Sequence, residues 1–442
     1  MSSNFVPKSF AMMQASMPDW ISNRFLIETQ GSSDAKPSSI VSFTLPESAC
    51  LDLASIRLYG DVACTSATVG SKTVHGRLPS DSSSLINDMQ VYIGGVCIMS
   101  SVGEYNTLAK IKKLAEGSLD RDRTVDRTIH HGQVTSADAA ETESFVISEW
   151  RGFLGEASSR MLPCDICGPV TIRLTLAQPN VLVPKEASQS IGTALTDSDA
   201  ESAAAQLTYS VSNLKMSVDS IIPPAAYNAA LRERLASGPI KVNYKNYFGF
   251  SMSGVGSAFT HRFSASSHSI DNLWNVQRNS NYLTTGVVAT QLTNNSTAGV
   301  GDSIVPAYFA FKTHDNAGAS TYQWQVNNTP RPVYRAKLLE ALVDFVGYGS
   351  DKIGAKAAGS IISDRDWWHN GQGVVGYRMH CPTELGVACK SGFDTSGVQA
   401  SLQLSMQGLT TPSSGEDRTS YVFVETTQTL CLEAGKQISI VY

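Results

Sequence analysis

Cys164-Asp165-Ile166-Cys167 has the spacing of a zinc knuckle or a dithiol redox pair. A zinc site needs two more ligands, and a redox pair needs a helix start behind it. Gly168-Pro169 and an alternating apolar run follow instead, so the two thiols read as ordinary cysteines in a structural loop. Asp364-Arg365-Asp366-Trp367-Trp368-His369 is the densest polar-aromatic cluster. It has the residue types of an acid/base or ligand site, but adjacent indoles more often anchor a domain or subunit contact. Gly349-Ser350-Asp351-Lys352-Ile353-Gly354-Ala355-Lys356 is a phosphate loop only loosely, because the lysine and the metal-binding hydroxyl are misplaced after Gly354. His130-His131 stands near Asp122, Arg123, Asp126 and Arg127, the alternating charge of a solvated face. Neither H-E-x-x-H nor G-x-S-x-G occurs. No catalytic, cofactor-binding or metal-ligating residue is assigned, no cofactor is expected, and the chain does not read as an enzyme.

The elements around these residues are strands. Ile40–Leu45, Ala54–Tyr59, Met89–Ile93, Val170–Leu176, Leu402–Met406 and Gln437–Tyr442 alternate apolar and polar side chains between Gly, Pro, Ser and Asp clusters. That period of two predicts antiparallel sheets with one buried face. Three short helices are predicted: Tyr105–Ala115 with Leu108, Ile111 and Ala115 on one stripe; one carrying Tyr227, Leu231 and Leu235; and one carrying Leu338, Leu339, Leu342 and Phe345. Helices inserted singly among strands are not a βαβ rhythm. A faint echo links Asn87–Val91 and the Tyr105-Asn106 helix to Asn213–Met216 and the Tyr227-Asn228 helix.

The 442 residues exceed one ordinary core and call for two or three domains. Charged residues make up 17%, against about 25% in soluble domains, which suits a surface buried in an assembly. Net charge is −5, and the first 30 residues hold only Lys8 and Arg24 as cations. Without a basic arm, direct contact with nucleic acid is not expected. The eight cysteines sit mostly in apolar strand patterns, as reduced, buried thiols do. No signal peptide or membrane-spanning helix is legible.

The segment Leu85–Gly95 followed by the Tyr105 helix, the run Met161–Pro169 entering a strand, and Val211–Ile222 followed by the Tyr227 helix and Gly238-Pro239-Ile240 resemble the double jelly-roll major capsid proteins. That family includes tailless membrane-containing phages, virophages, Polinton-like viruses and the adenovirus hexon. The resemblance covers roughly residues 40–290. It implies an all-β fold of two antiparallel jelly-roll sandwiches side by side, with a few short inserted helices. It implies the building block of a non-enveloped virion capsid: a homotrimer forming pseudo-hexagonal capsomers that meet neighbouring capsomers, minor capsid proteins and an internal membrane. The expected organisation is an N-terminal arm over 1–35, a first jelly roll over 36–210 and a second over 211–442. Phe10, Met13 and Met17 share one helical face that Ile21 and Phe25 continue, marking residues 1–30 as an arm outside the sandwiches or folded on its own domain. Trp324, Trp367 and Trp368 lie in Gly/Asn/Asp-rich segments and are candidate interface anchors; the rival reading puts Trp367 and Trp368 in the second core. Two alternatives stay open: a single jelly-roll capsid protein with a projecting domain, and a carbohydrate-binding or adhesive β-sandwich.

Overall fold

The structure, a computed structural model, describes residues 21–31, 33–47, 50–69, 72–79, 82–100, 102–116, 142–186, 206–279, 307–348, 373–380, 392–396, 401–412 and 417–442. Eight strands make the first sandwich. They are β1 (Ile21–Glu28), β2 (Ile40–Thr44), β3 (Cys50–Cys64), β4 (Ile86–Ile93), β5 (Val96–Met99), β6 (Thr142–Ile147), β7 (Val170–Leu176) and β8 (Tyr209–Ile222). They pair antiparallel in the orders β1-β8-β3-β6 and β2-β7-β4-β5. Eight more make the second: β9 (Ile240–Met252), β10 (Phe259–Ser264), β11 (Ile270–Asn279), β12 (Thr321–Val326), β13 (Thr329–Lys337), β14 (Val374–Arg378), β15 (Ser401–Gln407) and β16 (Arg418–Glu433). Their orders are β9-β16-β11-β14 and β10-β15-β12-β13. Adding eight to each label of the first sandwich gives the second. Each half is thus an eight-stranded jelly roll.

Alternation builds these sheets as expected. Val170, Ile172, Leu174 and Leu176 of β7 point inward, beside Met89, Val91 and Ile93 of β4. The apolar run Val91–Met99 becomes the β4–β5 hairpin, turning at Gly94-Gly95, both with positive φ. Helix α1 (Tyr105–Glu116) follows β5, and helix α3 (Leu338–Tyr348) follows β13, at the same point of each jelly roll. Helix α2 (Ala225–Ser237) joins the two halves. Outside the two jelly rolls, Ser66–Val69, Lys72–Arg77 and Val183–Glu186 form a small sheet, Met161–Pro163 pairs with β3, and Gln437–Val441 extends β16's sheet.

Three expectations change. The boundary at 210/211 moves to α2, because Tyr209–Ile222 pairs with β1 and β3 and is the last strand of the first jelly roll. The arm over 1–35 loses its C-terminal part: Ile21–Glu28 is the first strand of the first sandwich, paired from Ile21↔Ile222 to Glu28↔Lys215. The echo does not mark the repeat of the fold. It matched β4 with β8 and α1 with α2, whereas the topology matches β4 with β12 and α1 with α3. A second jelly roll also removes the alternative of a single one with a projecting domain.

Candidate functional site

The described residues hold no cluster of His, Cys, Asp and Glu arranged for a metal. Cys164–Cys167 forms a single helical turn beside Cys50 of β3, and all three thiols are buried. A hydrogen bond with Cys167, then burial, pushes the Cys164 thiol up. Burial pushes Cys50 up to about 11. A buried neutral thiol such as Cys164 is a poor nucleophile and a poor ligand. Among the described residues no helix is long and apolar enough to cross a membrane.

Charge is concentrated where the two sandwiches meet. Lys112 of α1 reaches across to Glu425 of β16, with Nζ 3.2 Å from Oε2. Lys245 of β9 lies 2.6 Å from Glu425 Oε1 and 2.9 Å from Asp271 Oδ2. Trp274 Nε1 donates to Glu425 Oε2 at 3.1 Å, and Ser269 and Thr427 hydroxyls donate to Asp271. None of these four charged side chains is more than 3% exposed. Burial alone would raise Glu425, but Lys112 and Lys245 hold it well below the carboxylate range. Burial alone would lower Lys245, but Glu425 and Asp271 keep it above its ordinary value.

A second cluster lies further along the same boundary. Arg278 of β11 is sandwiched between the rings of Tyr308 and Tyr421, 4.1 and 4.4 Å from their centroids. Its Nη2 donates to Glu104 Oε2 at 3.1 Å and its Nη1 to Thr107 Oγ1 at 3.3 Å, both from the first sandwich. Tyr308 donates to the same Glu104 oxygen at 2.6 Å. Tyr247 of β9 donates to Glu156 at 2.6 Å, and the ring of Tyr244 meets Phe153 edge-on at 5.3 Å. β9 passes so near the first sandwich that a Cβ at Gly249 would stand 2.2 Å from Val102 O.

Outward, the exposed large apolar side chains of the described residues fall on both sandwiches. Phe25, Leu26 and Ile222 lie on the β1–β8 edge. Val333, Tyr334, Leu339 and Val343 form a shelf on β13 and α3. The shelf has a local cause. Tyr322 pairs with Ala336 and Trp324 with Arg331, so Pro332–Arg335 bulge out opposite Gln323, whose Nε2 donates to Pro332 O at 3.1 Å. Glu340 then ties bulge to helix, accepting from Tyr334 Oη at 2.8 Å and from the Lys337 amide at 3.2 Å.

Of the anchors read from sequence, Phe10, Met13, Met17, Trp367 and Trp368 lie outside the described residues, as do the Gly349–Lys356 and Asp122–His131 segments. Trp324 is corrected: at 0% exposure it fills the second sandwich against Phe263, its centroid 6.5 Å away, so its own chain already covers it. The charged boundary escaped the sequence reading. β11 and β16 are buried on both faces, so their polar residues break no alternation, and Lys112 and Glu425 are 313 positions apart.

The strand orders make this a double jelly-roll protein. No protein-family model and no curated protein matches the chain. Solved structures do, across nearly its whole length. The PBCV-1 virus capsid (quasi-atomic model) matches with a TM-score of 0.61 at 15% identity, covering 96% of this chain and 97% of that one. PBCV-1 VP54, fitted into a reconstruction of the virophage Sputnik, gives 0.62 at 14%, with the same coverage. The Faustovirus major capsid protein gives 0.58 at 10%, covering 94% and 91%. The fold is the one the sequence resemblance implied.

Proposed function

We propose that this protein is the major capsid protein of a virus, a structural part with no catalytic role, that associates in threes and then tiles an icosahedral shell. The observation that carries this is the exact repetition of one strand order in two halves of a single chain. Three such chains about a threefold axis put six similar sandwiches in a ring, so a trimer can occupy a sixfold place in a lattice. The likeness to capsid structures over the whole chain supports the same reading. Apolar side chains exposed on both sandwiches supply surface for contacts between copies.

In this reading the β13–α3 shelf and the β1–β8 edge meet other copies or neighbouring capsomers. Phe10, Met13, Met17, Trp367 and Trp368 add contacts, and the arm before β1 faces the inside of the shell, toward minor capsid proteins or an internal membrane. With a net charge of −5 the chain leaves the genome to other components. Negative-stain electron microscopy of the purified protein tests the proposal. Particles with a three-lobed, nearly hexagonal outline are expected. A field of single two-lobed particles at every concentration would overturn it and favour a carbohydrate-binding or adhesive module.

A further inference from the structure

The buried ion pairs described at the boundary between the sandwiches are charge-matched. Lys112 and Lys245 balance Asp271 and Glu425, and Arg278 balances Glu104. Burying these groups is expensive, and well-packed apolar residues of similar volume would seal the same boundary as well or better. What apolar contact does not supply is direction. Dispersion and hydrophobic burial tolerate sliding and rotation, while charge-assisted hydrogen bonds demand a particular distance and angle. The charge-assisted bonds that these six groups make across the boundary reach the first sandwich at α1 and the Glu104 that precedes it, while Tyr247–Glu156 and the pairing of Ala157–Ser158 with Asn243–Tyr244 cross it elsewhere. Displacing α1 by one turn, about 5.4 Å, would leave Lys112 without Glu425 and Arg278 without Glu104, each inside protein.

We propose that the Lys112–Glu425–Lys245–Asp271 set, with Arg278–Glu104, is an orientation lock that permits a single placement of one jelly roll against the other. The lock belongs to the chain itself and holds whether or not the protein builds a shell. Its consequence for a shell is direct, since the angle between the sandwiches decides whether three chains close into a regular ring.

The test compares the full chain with the charge-free variant Lys112→Met/Lys245→Met/Asp271→Asn/Glu425→Gln/Arg278→Met/Glu104→Gln. Spin labels on ketone-bearing residues introduced at exposed Ser148 and Ser264 report the distance between sandwiches by pulsed electron resonance. A pair at Ser22 and Ser148 serves as the control inside the first sandwich. One narrow distance is expected in the parent. In the variant the single distance is lost to a spread or a second peak, while the control distance stays and the melting temperature shifts by no more than about 5 °C. A variant that keeps the parent's single distance would overturn the lock. If the variant does not fold, Lys112→Met/Glu104→Ala is measured the same way. It leaves Lys245, Asp271 and Glu425 together within the second sandwich, and an unchanged distance there would equally reject the proposal.

Discussion

His261 lies on β10 with Nδ1 3.2 Å from Ser420 Oγ and its ring edge-on to Phe263, inside the second sandwich. Burial holds its pKa down, from 6.5 to about 4. The folded chain therefore keeps it neutral, and unfolding lets it take up a proton. Stability is full above pH 6.5 and is lost as pH falls toward about 4. Between pH 7.5 and 4.5 this one group removes about 2–3 kcal/mol, and His380, also lowered by burial, acts in the same direction. Denaturation midpoints at the two pH values check it: His261→Gln should lose most of that dependence, and an unchanged dependence would contradict the assignment. Glu425, held low by Lys112 and Lys245, stays charged across this range. Trp324→Ala should cost about 3–5 kcal/mol and unfold the second sandwich without yielding folded, dissociated subunits, as thermal melts with native mass would show. Gly249→Ala drives a methyl into Val102 O and should cost about 1–3 kcal/mol. A melting point equal to the parent's would mean that β9 does not press on the first sandwich as described.

At the scale of elements, what is half-buried was legible and what is buried on both faces was not. β2 and β7 alternate cleanly and match the runs read from sequence to within a residue, while β4 and β15 alternate over part of their length. α1 was found because Leu108 and Ile111 face the core. α3 was found, but its Leu339, read as core, is exposed on the shelf, since Leu338 and Ala341 take the buried face. β1 was missed because its side chains are almost all exposed and its place comes from backbone pairing to β8, reinforced by Arg24 on Asp219. No periodicity marks such a strand. Removing residues 1–28 should therefore lower the melting temperature below that of a chain lacking only 1–20, by stripping an edge from β8. Equal melts for the two truncations would contradict the strand. On the shelf, Val333 is 84% and Val343 65% exposed, so Val333→Asp/Val343→Asp should not disturb folding. It should weaken self-association at least tenfold, or about 1.4 kcal/mol, as measured by sedimentation across a dilution series.

At the scale of the molecule, the two jelly rolls share a strand order that the echo does not follow. The residues that reveal the duplication are partners in a topology, such as β3 between β8 and β6, and β11 between β16 and β14. Pairing of that kind leaves no mark at a fixed spacing along the chain. The low charge content suits the proposed subunit, which buries surface against its own copies. The most direct test is the mass of the native particle, taken by light scattering behind a sizing column over a hundredfold range of concentration. A mass of three times 47.4 kDa, persisting on dilution, is expected. A mass of one chain at every concentration would contradict it.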